Sequence, residues 1–351
     1  MPTAYITTPQ GRVRLARERL EIVARNGNGN GHEEVIREIP IRDLDRVLLE
    51  ESVQITSEAM AELLRRAVPV GYLGWNGQFL GGFLPPTQAH GMARLRQYQR
   101  TLEPEFALQM ARKVVTAKLY NQRRVLQRIA ASRSGREGEG VPLPDKGQVE
   151  DFVEMLEWLH GLFEDIKKAG TLDELRGYEG VSTARYWQMW GRLLPPEFPF
   201  ERRSTRPPHN AVNACISFGA TMIYHEMVAF LHGHGLDPSL GLLHHTEDGR
   251  WSLALDLIEP FRPALVEALT LDLFTHQMLG KEHFEPKNGG IYLNAEGRRK
   301  YLLQYERRME RQFMSECVGH RTTLRQQLEQ QAVMYKAALE QPDRFEPFIM
   351  N

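Results

Sequence analysis

The stretch "EFALQMARKVVTAKLYNQRRVLQRIA" (residues 105–130) decides the fold class, because the hydrophobic pattern of the chain changes here. Its apolar residues recur at helical spacing, and its polar face consists mostly of Arg and Lys. Residues 4–86, in contrast, carry β-branched residues in strand-like alternation, as in "YITT", "RVRLARERLEIV" and "VIREIPI". The sequence therefore predicts an α+β protein in which a β-rich N-terminal part is followed by helices.

Two domains are expected from this change of pattern. A β-rich N-terminal domain over residues 1–87 contains one predicted helix, "SEAMAELLRRA", and two predicted turns, "NGNGNG" (26–31) and "WNGQ" (75–78). A larger all-α domain over residues 88–351 has a Gly/Ser/Pro loop at about 132–147. Its further helices are predicted at 148–168, 171–193, 209–233, 252–279 and 295–338, the last broken near Gly319.

Length and composition are those of a globular protein with more than one core. The chain has 351 residues, of which 42% are hydrophobic and 25% charged. We expect no membrane span and no signal peptide, and therefore a cytoplasmic location. Cys215 and Cys317 lie far apart in the sequence and outside any CxxC motif. They are expected to be reduced packing residues, which excludes zinc-finger and disulfide-scaffold classes.

Charge is distributed unevenly, although the net charge is only −1. From Arg94 to Arg136 there are eleven Lys or Arg against two Glu. A second basic cluster consists of Arg298, Arg299, Lys300, Arg307, Arg308 and Arg311. A polyanion responds to such local fields, so a nucleic-acid partner is indicated. For any single residue, a solvated helix face is the alternative interpretation.

The segment "LGLLHHTEDGRWSLALDLIEP" (residues 240–260) places charged and imidazole side chains around an apolar run. Asp256 and Glu259 are three residues apart on a predicted helix, so they share a face that Leu253 borders. At least one of the two acids is therefore expected near the core, and Pro260 should kink or restart the helix. The alternative is a solvated helix start whose acids are favoured by the helix dipole.

Glu179 lies between two glycines in "DELRGYEGVSTARYWQMW" (residues 173–190). Glycine inside a helix costs about 1 kcal/mol relative to alanine, so Gly177 and Gly180 require a reason. One reason is close approach of another element, which would press Glu179 against a partner. The other is a simple break in the helix near residues 175–181.

The order of these segments resembles that of the CRISPR-associated Cas1 integrases. The resemblance rests on the Glu-Gly segment, "RPPHNAVNACISFGATMIYHEM", "GLDPSLGLLH" and "RWSLALDLIEPFRP", which follow one another at similar spacing. It also includes the basic "GRRKYLLQYERRMERQF" and the β-rich N-terminal domain. The chain departs from the family pattern at Asn210-Ala211-Val212-Asn213, where Asp-Pro-Val-Asn is frequent, and at Ala184, where Arg is common.

The resemblance implies a divalent-metal site and a role for each of its residues. By motif, the family's Glu, His and acidic ligands fall on Glu179, His244 and the pair Asp256/Glu259. Glu259 is expected to be the direct ligand and Asp256 to support it or touch DNA, while His245 should point away. Carboxylates with one imidazole suit Mn²⁺ or Mg²⁺. The helical domain is thus expected to be the metal-binding catalytic domain.

The resemblance further implies a function and partners. The expected enzyme inserts prespacer DNA into a CRISPR array by transesterification with a DNA 3′-OH. Expected partners are double-stranded DNA, the small Cas2 protein, a second copy of the chain and an accessory Cas4-type nuclease. Arg123, Arg124 and Lys300 are expected to contact DNA, and the N-terminal domain to mediate dimerisation. The alternatives are a catalytically inactive DNA-binding scaffold of the same fold and a general metal nuclease without an integration role.

Overall fold

The computed structural model describes residues 3–25, 33–75, 78–85, 90–134, 146–316 and 318–351. The predicted tip at 26–31, Asn76-Gly77 of the second predicted turn, most of the predicted loop at 132–147 and Cys317 lie outside the described residues. The chain divides into two compact units, Met1–Ala89 and His90–Asn351. The first is β-rich and the second largely helical, as the change of pattern predicts.

The N-terminal unit contains eight described strands and one helix. They are β1 (Thr3–Ile6), β2 (Arg12–Ala16), β3 (Arg19–Arg25), β4 (Glu33–Pro40), β5 (Arg46–Glu50), β6 (Gln54–Ile55), α1 (Ser57–Arg65), β7 (Val70–Leu73) and β8 (Phe79–Phe83). One sheet has the order β1-β5-β7-β8 and the other β4-β3-β2-β6. Alternate strand residues such as Val13, Leu20 and Leu49 are buried in one hydrophobic core, which the Leu63 face of α1 joins. Thr56 caps α1, its hydroxyl accepting a hydrogen bond from the Ala59 N–H.

The C-terminal unit contains nine described α-helices. They are α2 (Gly91–Thr101), α3 (Pro104–Ser134), α4 (Lys146–Lys168), α5 (Leu172–Gly191), α6 (Ala211–Gly233), α7 (Ser252–Ile258), α8 (Ala268–Thr275), α9 (Ala295–Glu310) and α10 (Leu324–Ala338). The predicted helix at 252–279 is interrupted, because α7 ends just before Pro260 and a π-helical turn, Pro263–Glu267, precedes α8. Proline causes such a restart by removing a backbone donor.

The prediction that this unit is all-α was wrong. Two antiparallel hairpins occur in it: β9 (Phe284–Lys287) with β10 (Gly290–Leu293), and β11 (Phe313–Ser315) with β12 (His320–Thr322). The first hairpin turns at Asn288-Gly289, where both residues have positive φ (49° and 75°). An Asn-Gly pair favours this turn, so the signal was present in the sequence. The second hairpin separates α9 from α10, and Gly319 lies between its two strands, so the predicted break near Gly319 is confirmed.

Among the described residues, helix α6 is the one helix long and apolar enough to be a candidate membrane span. The mean hydropathy of an 18-residue window in it is 1.4, so the sequence contains an apolar run longer than expected. However, 61% of that window is buried within the fold. Buried Glu226 on α6 accepts hydrogen bonds from Tyr305 and Arg325, and Cys215 is fully buried. These contacts are typical of a core helix in a helical protein.

Helix α3 is also a core helix, so the alternative interpretation of its basic residues as an ordinary solvated face does not describe it. Most of its described cations donate hydrogen bonds to backbone oxygens of the same unit. Arg112 binds the Ala169 oxygen at 2.7 Å, and Lys113 binds those of Pro342 and Phe345 at 3.0 Å. Long basic side chains can pack their aliphatic stems in this way while satisfying their charged ends. The cations of the amphipathic pattern therefore mostly bind groups within the fold, although Arg128 is exposed.

Candidate functional site

The four residues predicted to form the site come from three segments, and the structure brings them together. Glu179 lies on α5, His244 in the loop between α6 and α7, and Asp256 and Glu259 on and just after α7. Asp256 is fully buried and Glu259 is 4% exposed, whereas Glu179 and His244 are half-buried. The expectation that at least one acid lies near the core is thus met by both acids of the pair.

Asp256 holds the loop that carries His244. One carboxylate oxygen accepts hydrogen bonds from the backbone N–H groups of Leu242 and Leu243, at 2.6 and 3.1 Å. The other accepts from the His244 N–H at 3.1 Å and lies 2.5 Å from the imidazole Nδ1. The Asp256 carboxylate therefore fixes both the backbone and the ring of His244, which leaves Nε2 as the nitrogen for a ligand.

The imidazole of His244 is poised towards its charged form. Burial disfavours that form, but the hydrogen bond and the negative charge of Asp256 outweigh burial and raise the pKa of His244 above its ordinary value. The neighbouring His245 is exposed, and only its backbone oxygen is engaged, by the Ser252 hydroxyl at 2.6 Å. The two adjacent histidines thus have different environments.

A lysine lies between the two glutamates of the site. The Lys118 ammonium on α3 contacts Glu179 Oε1, and it lies 2.5 Å from Glu259 Oε2. Because both oxygens contact one nitrogen, they lie within about 5 Å of each other. Burial works against the charged ammonium, but Glu259 and Glu179 outweigh it and raise the pKa of Lys118. The three side chains form one ion-paired group at the centre of the site.

Arg262 is the second cation of the site. Its guanidinium donates to Glu259 Oε1 at 2.9 Å. Burial alone would raise the pKa of Glu259, but Arg262 and Lys118 together hold it far below its usual range. Glu259 is therefore an ionised carboxylate with a different cation at each oxygen. Such a fully paired geometry is what allows a buried carboxylate to stay charged.

Further contacts position the segments that carry these residues. The Arg176 guanidinium on α5 donates to the Leu243 carbonyl at 2.7 Å, joining α5 to the His244 loop. The Asn121 amide on α3 donates to the Pro260 carbonyl at 2.6 Å, one residue after Glu259. Since Lys118 and Asn121 are three residues apart, one face of α3 contacts both the glutamate and the helix interruption beside it.

Sequence reasoning missed Lys118, Arg262, Arg176 and Asn121. Lys118 was counted only as one of many cations on a basic helix. A signal was available, because Lys118 continues the apolar row of Ala111, Val114 and Val115 at helical spacing. A lysine in a core row is rarely fully buried unless it is paired, so it indicates an acidic partner. Arg262 follows Glu259 by three residues, a spacing at which helical side chains meet, so this pair also had a local signal. Arg176 and Asn121 bind carbonyl groups 67 and 139 residues away and have no comparable local signal.

The glycines beside Glu179 serve neither of the purposes considered from the sequence. Helix α5 runs unbroken from Leu172 to Gly191, so there is no break at 175–181. A Cβ added at Gly177 or Gly180 would meet nothing within 4 Å, so no other element packs against them. Both are exposed, and they leave the helix surface beside Glu179 without side chains. Glu179 instead contacts the Lys118 ammonium and accepts a hydrogen bond from the Thr183 hydroxyl at 3.1 Å.

The residues predicted to contact DNA have partners within the chain. Arg123 and Arg124 are half-buried and donate to the carbonyl oxygens of Leu156 and Asn351, at 3.3 and 3.2 Å. Lys300 on α9 is partly exposed and lies 2.6 Å from His283 Nε2. On the same helix Arg299 and Arg307 are exposed. The structure therefore offers a free basic surface on α9 and not at Arg123 or Arg124.

The donor atoms of the site fit a divalent cation, although the described residues do not form a ready-made metal cluster. No group of three or more His, Cys, Asp or Glu close enough to hold a metal occurs in the described part of the chain. Glu179 and Glu259 nevertheless converge on a single positive charge, and an oriented imidazole lies beside Glu259. Oxygen donors with one imidazole are ligands that Mn²⁺ and Mg²⁺ accept.

The fold is that of solved structures of CRISPR and casposon proteins. A casposase bound to its integration product matches with a TM-score of 0.77 and 21% identity, over 97% of this chain and 90% of that one. A CAS1 protein from Thermotoga maritima matches with a TM-score of 0.74 and 22% identity, over 100% and 99% of the two chains. At these identities the likeness establishes a shared fold.

Sequence comparison establishes the family. The family model for CRISPR associated protein Cas1 matches residues 4–307. A "CRISPR-associated endonuclease Cas1 1" of Thermus thermophilus is 33% identical over 360 residues, which is 99% of both chains. A Cas4/Cas1 fusion protein of Geobacter sulfurreducens is 31% identical over 93% of this chain, and the match covers 56% of that protein's length. This chain belongs to the Cas1 family, which confirms the resemblance seen in its motifs.

Proposed function

We propose that this chain is a divalent-metal-dependent DNA endonuclease and integrase that inserts prespacer DNA into a CRISPR array in the cytoplasm. The single observation that carries the proposal is the convergence of Glu179, Glu259 and the Asp256-oriented His244 in one cluster. Family membership supports the reaction class, since the Thermus relative is named an endonuclease and a structural neighbour is a casposase bound to an integration product.

Glu179, His244 and Glu259 are the proposed ligands of Mn²⁺ or Mg²⁺. Asp256 is not a ligand in this proposal, because both its oxygens are occupied by the His244 loop. A bound divalent ion would supply Lewis acidity, lowering the pKa of a DNA 3′-OH and neutralising charge on the reacting phosphate. The reaction joins the 3′ oxygen to phosphorus and releases the 3′ oxygen of the cut strand, with the proton passing from one hydroxyl to the other.

The chain's own residues prepare this reaction in three ways. Asp256 presents the His244 ring in one orientation, and Arg176 holds the loop against α5. Lys118 and Arg262 balance the charge of the two glutamates, so that a DNA polyanion meets less repulsion than two bare carboxylates would cause. The side-chain-free surface at Gly177 and Gly180 leaves room for a DNA strand to approach Glu179.

Partners follow from the relatives. One structural neighbour is a Cas6-RT-Cas1–Cas2 complex, and the Geobacter relative is a Cas4/Cas1 fusion. We therefore propose assembly with a Cas2 protein, with DNA and with a Cas4-type nuclease.

We also propose dimerisation through the N-terminal domain (residues 1–87), where edge strand β8 exposes Leu80 and Phe83. Light scattering should show that Phe83→Ser lowers the dimer fraction, and an unchanged dimer would place the interface elsewhere.

The decisive experiment is strand transfer by the purified chain. A short duplex with free 3′-OH ends and a supercoiled CRISPR plasmid are mixed with the protein, with and without Cas2, at saturating Mn²⁺. We expect joined products that disappear with EDTA and with Glu179→Ala, His244→Ala or Glu259→Ala, while DNA binding stays nearly intact. The control His245→Ala should retain activity. Undiminished joining in a chelated reaction would refute the metal requirement.

A non-catalytic DNA-binding scaffold is the second candidate. It is favoured by one observation, namely that the Lys118 ammonium and the Arg262 guanidinium together balance the charges of the two glutamates. The same assay separates the two functions. A scaffold would bind the duplex and Cas2 normally and would give no joined product at any concentration of Mn²⁺ or Mg²⁺.

A further inference from the structure

Lys118 differs from the other cations of its helix. Among the α3 cations whose side chains are described, those near it donate to backbone oxygens, as Lys113 does to Pro342 and Phe345. Lys118 alone among them contacts two carboxylates, and its side chain is only 5% exposed. A buried ammonium between two glutamates requires desolvation of all three charges. A hydrophobic residue would fill this position in a core helix at lower cost, so a role in the site is the more economical explanation.

The contacts of Lys118 are made with the atoms a metal ion would need. Glu259 has one oxygen bound by Arg262 and the other by Lys118. The Glu179 oxygen that contacts Lys118 also accepts a hydrogen bond from the Thr183 hydroxyl. If Glu179 and Glu259 hold a divalent cation, the ion would need carboxylate oxygens that the Lys118 ammonium contacts.

We infer that the Lys118 ammonium and the divalent cation compete for the same two carboxylate oxygens. In the metal-free chain Lys118 holds Glu179 and Glu259 together against their mutual repulsion, and it leaves them when the cation binds. Its flexible four-carbon stem allows the ammonium to move without a change in α3. The inference rests on the proposal above that these two glutamates are metal ligands.

As a consequence, the site should have a low affinity for metal ions but be stable without one. Removing the competing ammonium should tighten metal binding, because the incoming ion no longer has to displace a charge already in place. It should also destabilise the metal-free fold, since the buried Glu259 and the half-buried Glu179 then lose one of their partners. Opposite changes in these two quantities are the signature of competition. A lysine with a purely structural role would lower stability and leave metal affinity unchanged.

The test compares Lys118→Met with the control Lys113→Met in the full-length chain. Met has a similar length and no charge, and Lys113 is half-buried on the same helix but binds only carbonyl oxygens. Free Mn²⁺ is followed by electron paramagnetic resonance during titration, and the melting temperature is measured with and without Mn²⁺. For Lys118→Met we expect Mn²⁺ affinity higher by about tenfold and a larger Mn²⁺-induced rise in melting temperature. For Lys113→Met we expect a lower melting temperature and wild-type Mn²⁺ affinity.

Equal or weaker Mn²⁺ binding by Lys118→Met would overturn the inference, because the ion would then bind beside the lysine or with its help. Should the variant fold only in the presence of Mn²⁺, that result would support competition. A measurement on the unaltered chain covers a variant that does not fold at all. With ¹⁵N-labelled lysine, the protected ammonium signal of the metal-free chain should be lost at saturating Mg²⁺, and its persistence would refute displacement.

This outcome is separable from that of the proposed function. Tighter Mn²⁺ binding by Lys118→Met in a protein that joins no DNA would support the competition and refute the integrase activity. Normal strand transfer with unchanged Mn²⁺ affinity in Lys118→Met would do the reverse.

Discussion

Asp256 is buried because its carboxylate replaces water as the hydrogen-bond acceptor for a whole loop. Three successive backbone N–H groups and one imidazole nitrogen point at its two oxygens. A carboxylate in this position acts on the site through His244 and not by direct contact with a substrate. Glu259, three residues later, instead has a cationic side chain at each oxygen, Lys118 at one and Arg262 at the other. The two acids, which look equivalent in the sequence, are therefore not equivalent in the fold.

This difference predicts that Asp256→Asn lowers both stability and activity. The amide can accept hydrogen bonds at one oxygen only, so some of the N–H groups of Leu242, Leu243 and His244 lose their acceptor. Each buried group left unsatisfied costs about 1–3 kcal/mol. Urea unfolding should show a loss in this range, and strand transfer should fall with it. As a control, His245→Ala at an exposed position should change neither quantity. Wild-type stability in Asp256→Asn would show that the carboxylate charge is not needed.

At the scale of the element, α5 carries two glycines that its structure does not require. Gly177 and Gly180 have helical neighbours on both sides and open space where a Cβ would lie. Glycine in such a position lowers helix stability by about 0.5–1 kcal/mol relative to alanine. A fold that accepts this cost twice beside Glu179 indicates that the free surface matters for something other than folding.

Gly180→Ala should therefore stabilise the chain and impair its reaction with DNA. The expected gain is about 0.5–1 kcal/mol in the free energy of unfolding, measured with urea. Strand transfer and duplex affinity should decrease if DNA approaches this surface. A variant that is more stable and fully active would show that the space beside Glu179 is not used by the substrate. A less stable variant would contradict the helix argument itself.

The two basic helices, α3 and α9, are predicted to respond differently to charge reversal. Arg124→Glu removes a donor from the Asn351 carbonyl and puts a negative charge beside it, so a stability loss of about 1–3 kcal/mol is expected. Arg307→Glu lies at an exposed position on α9, so it should leave stability nearly unchanged. It should weaken DNA binding similarly for all sequences and reduce the salt slope by about one.

Fluorescence anisotropy at several salt concentrations and urea unfolding measure the two effects separately. Arg299→Glu, also exposed on α9, tests whether the surface acts as a group. Wild-type DNA affinity in both α9 variants would show that the DNA surface lies elsewhere. Wild-type stability in Arg124→Glu would show that its carbonyl contact contributes nothing measurable.

At the scale of the whole molecule, buried titratable groups tie the stability of the helical core to pH. Burial lowers the pKa of His225, on α6, from its ordinary value of 6.5 to about 4. The unfolded chain therefore takes up a proton at this residue more readily than the folded chain between these two values. The contribution of neutral His225 is present above about pH 6.5 and is lost as the pH falls towards 4.

His225→Phe should reduce the pH dependence of stability in this window. Phe keeps an aromatic ring beside Trp251, whose ring centroid lies 6.0 Å from that of His225, and it cannot bind a proton. Urea midpoints measured from pH 4 to pH 8 should fall less steeply with acidification in the variant than in the wild type. His245→Ala should follow the wild-type curve. Parallel curves for His225→Phe and wild type would show that His225 does not titrate as its burial implies.

The sequence by itself determined the features that depend on local pattern. The change from strand alternation to helical spacing separates the β-rich unit from the helical one, and Pro260 interrupts the helix that carries Asp256 and Glu259. The order of its motifs also identified the family that sequence comparison confirms. These features are read from neighbours along the chain, so no knowledge of packing was needed.

Only the tertiary structure decided which charges meet. Lys118 pairs with a glutamate 61 residues away, and Asn121 binds a carbonyl 139 residues away. Spacing along α3 indicates that such residues point inward, but the partner depends on which segments pack against that face. The same reason explains why the carbonyl partners of Arg123 and Arg124, far away in the sequence, were not foreseen. The same local pattern on a helix is compatible with a charged residue that faces water, DNA or a buried carboxylate. Long-range packing decides which of these surrounds it.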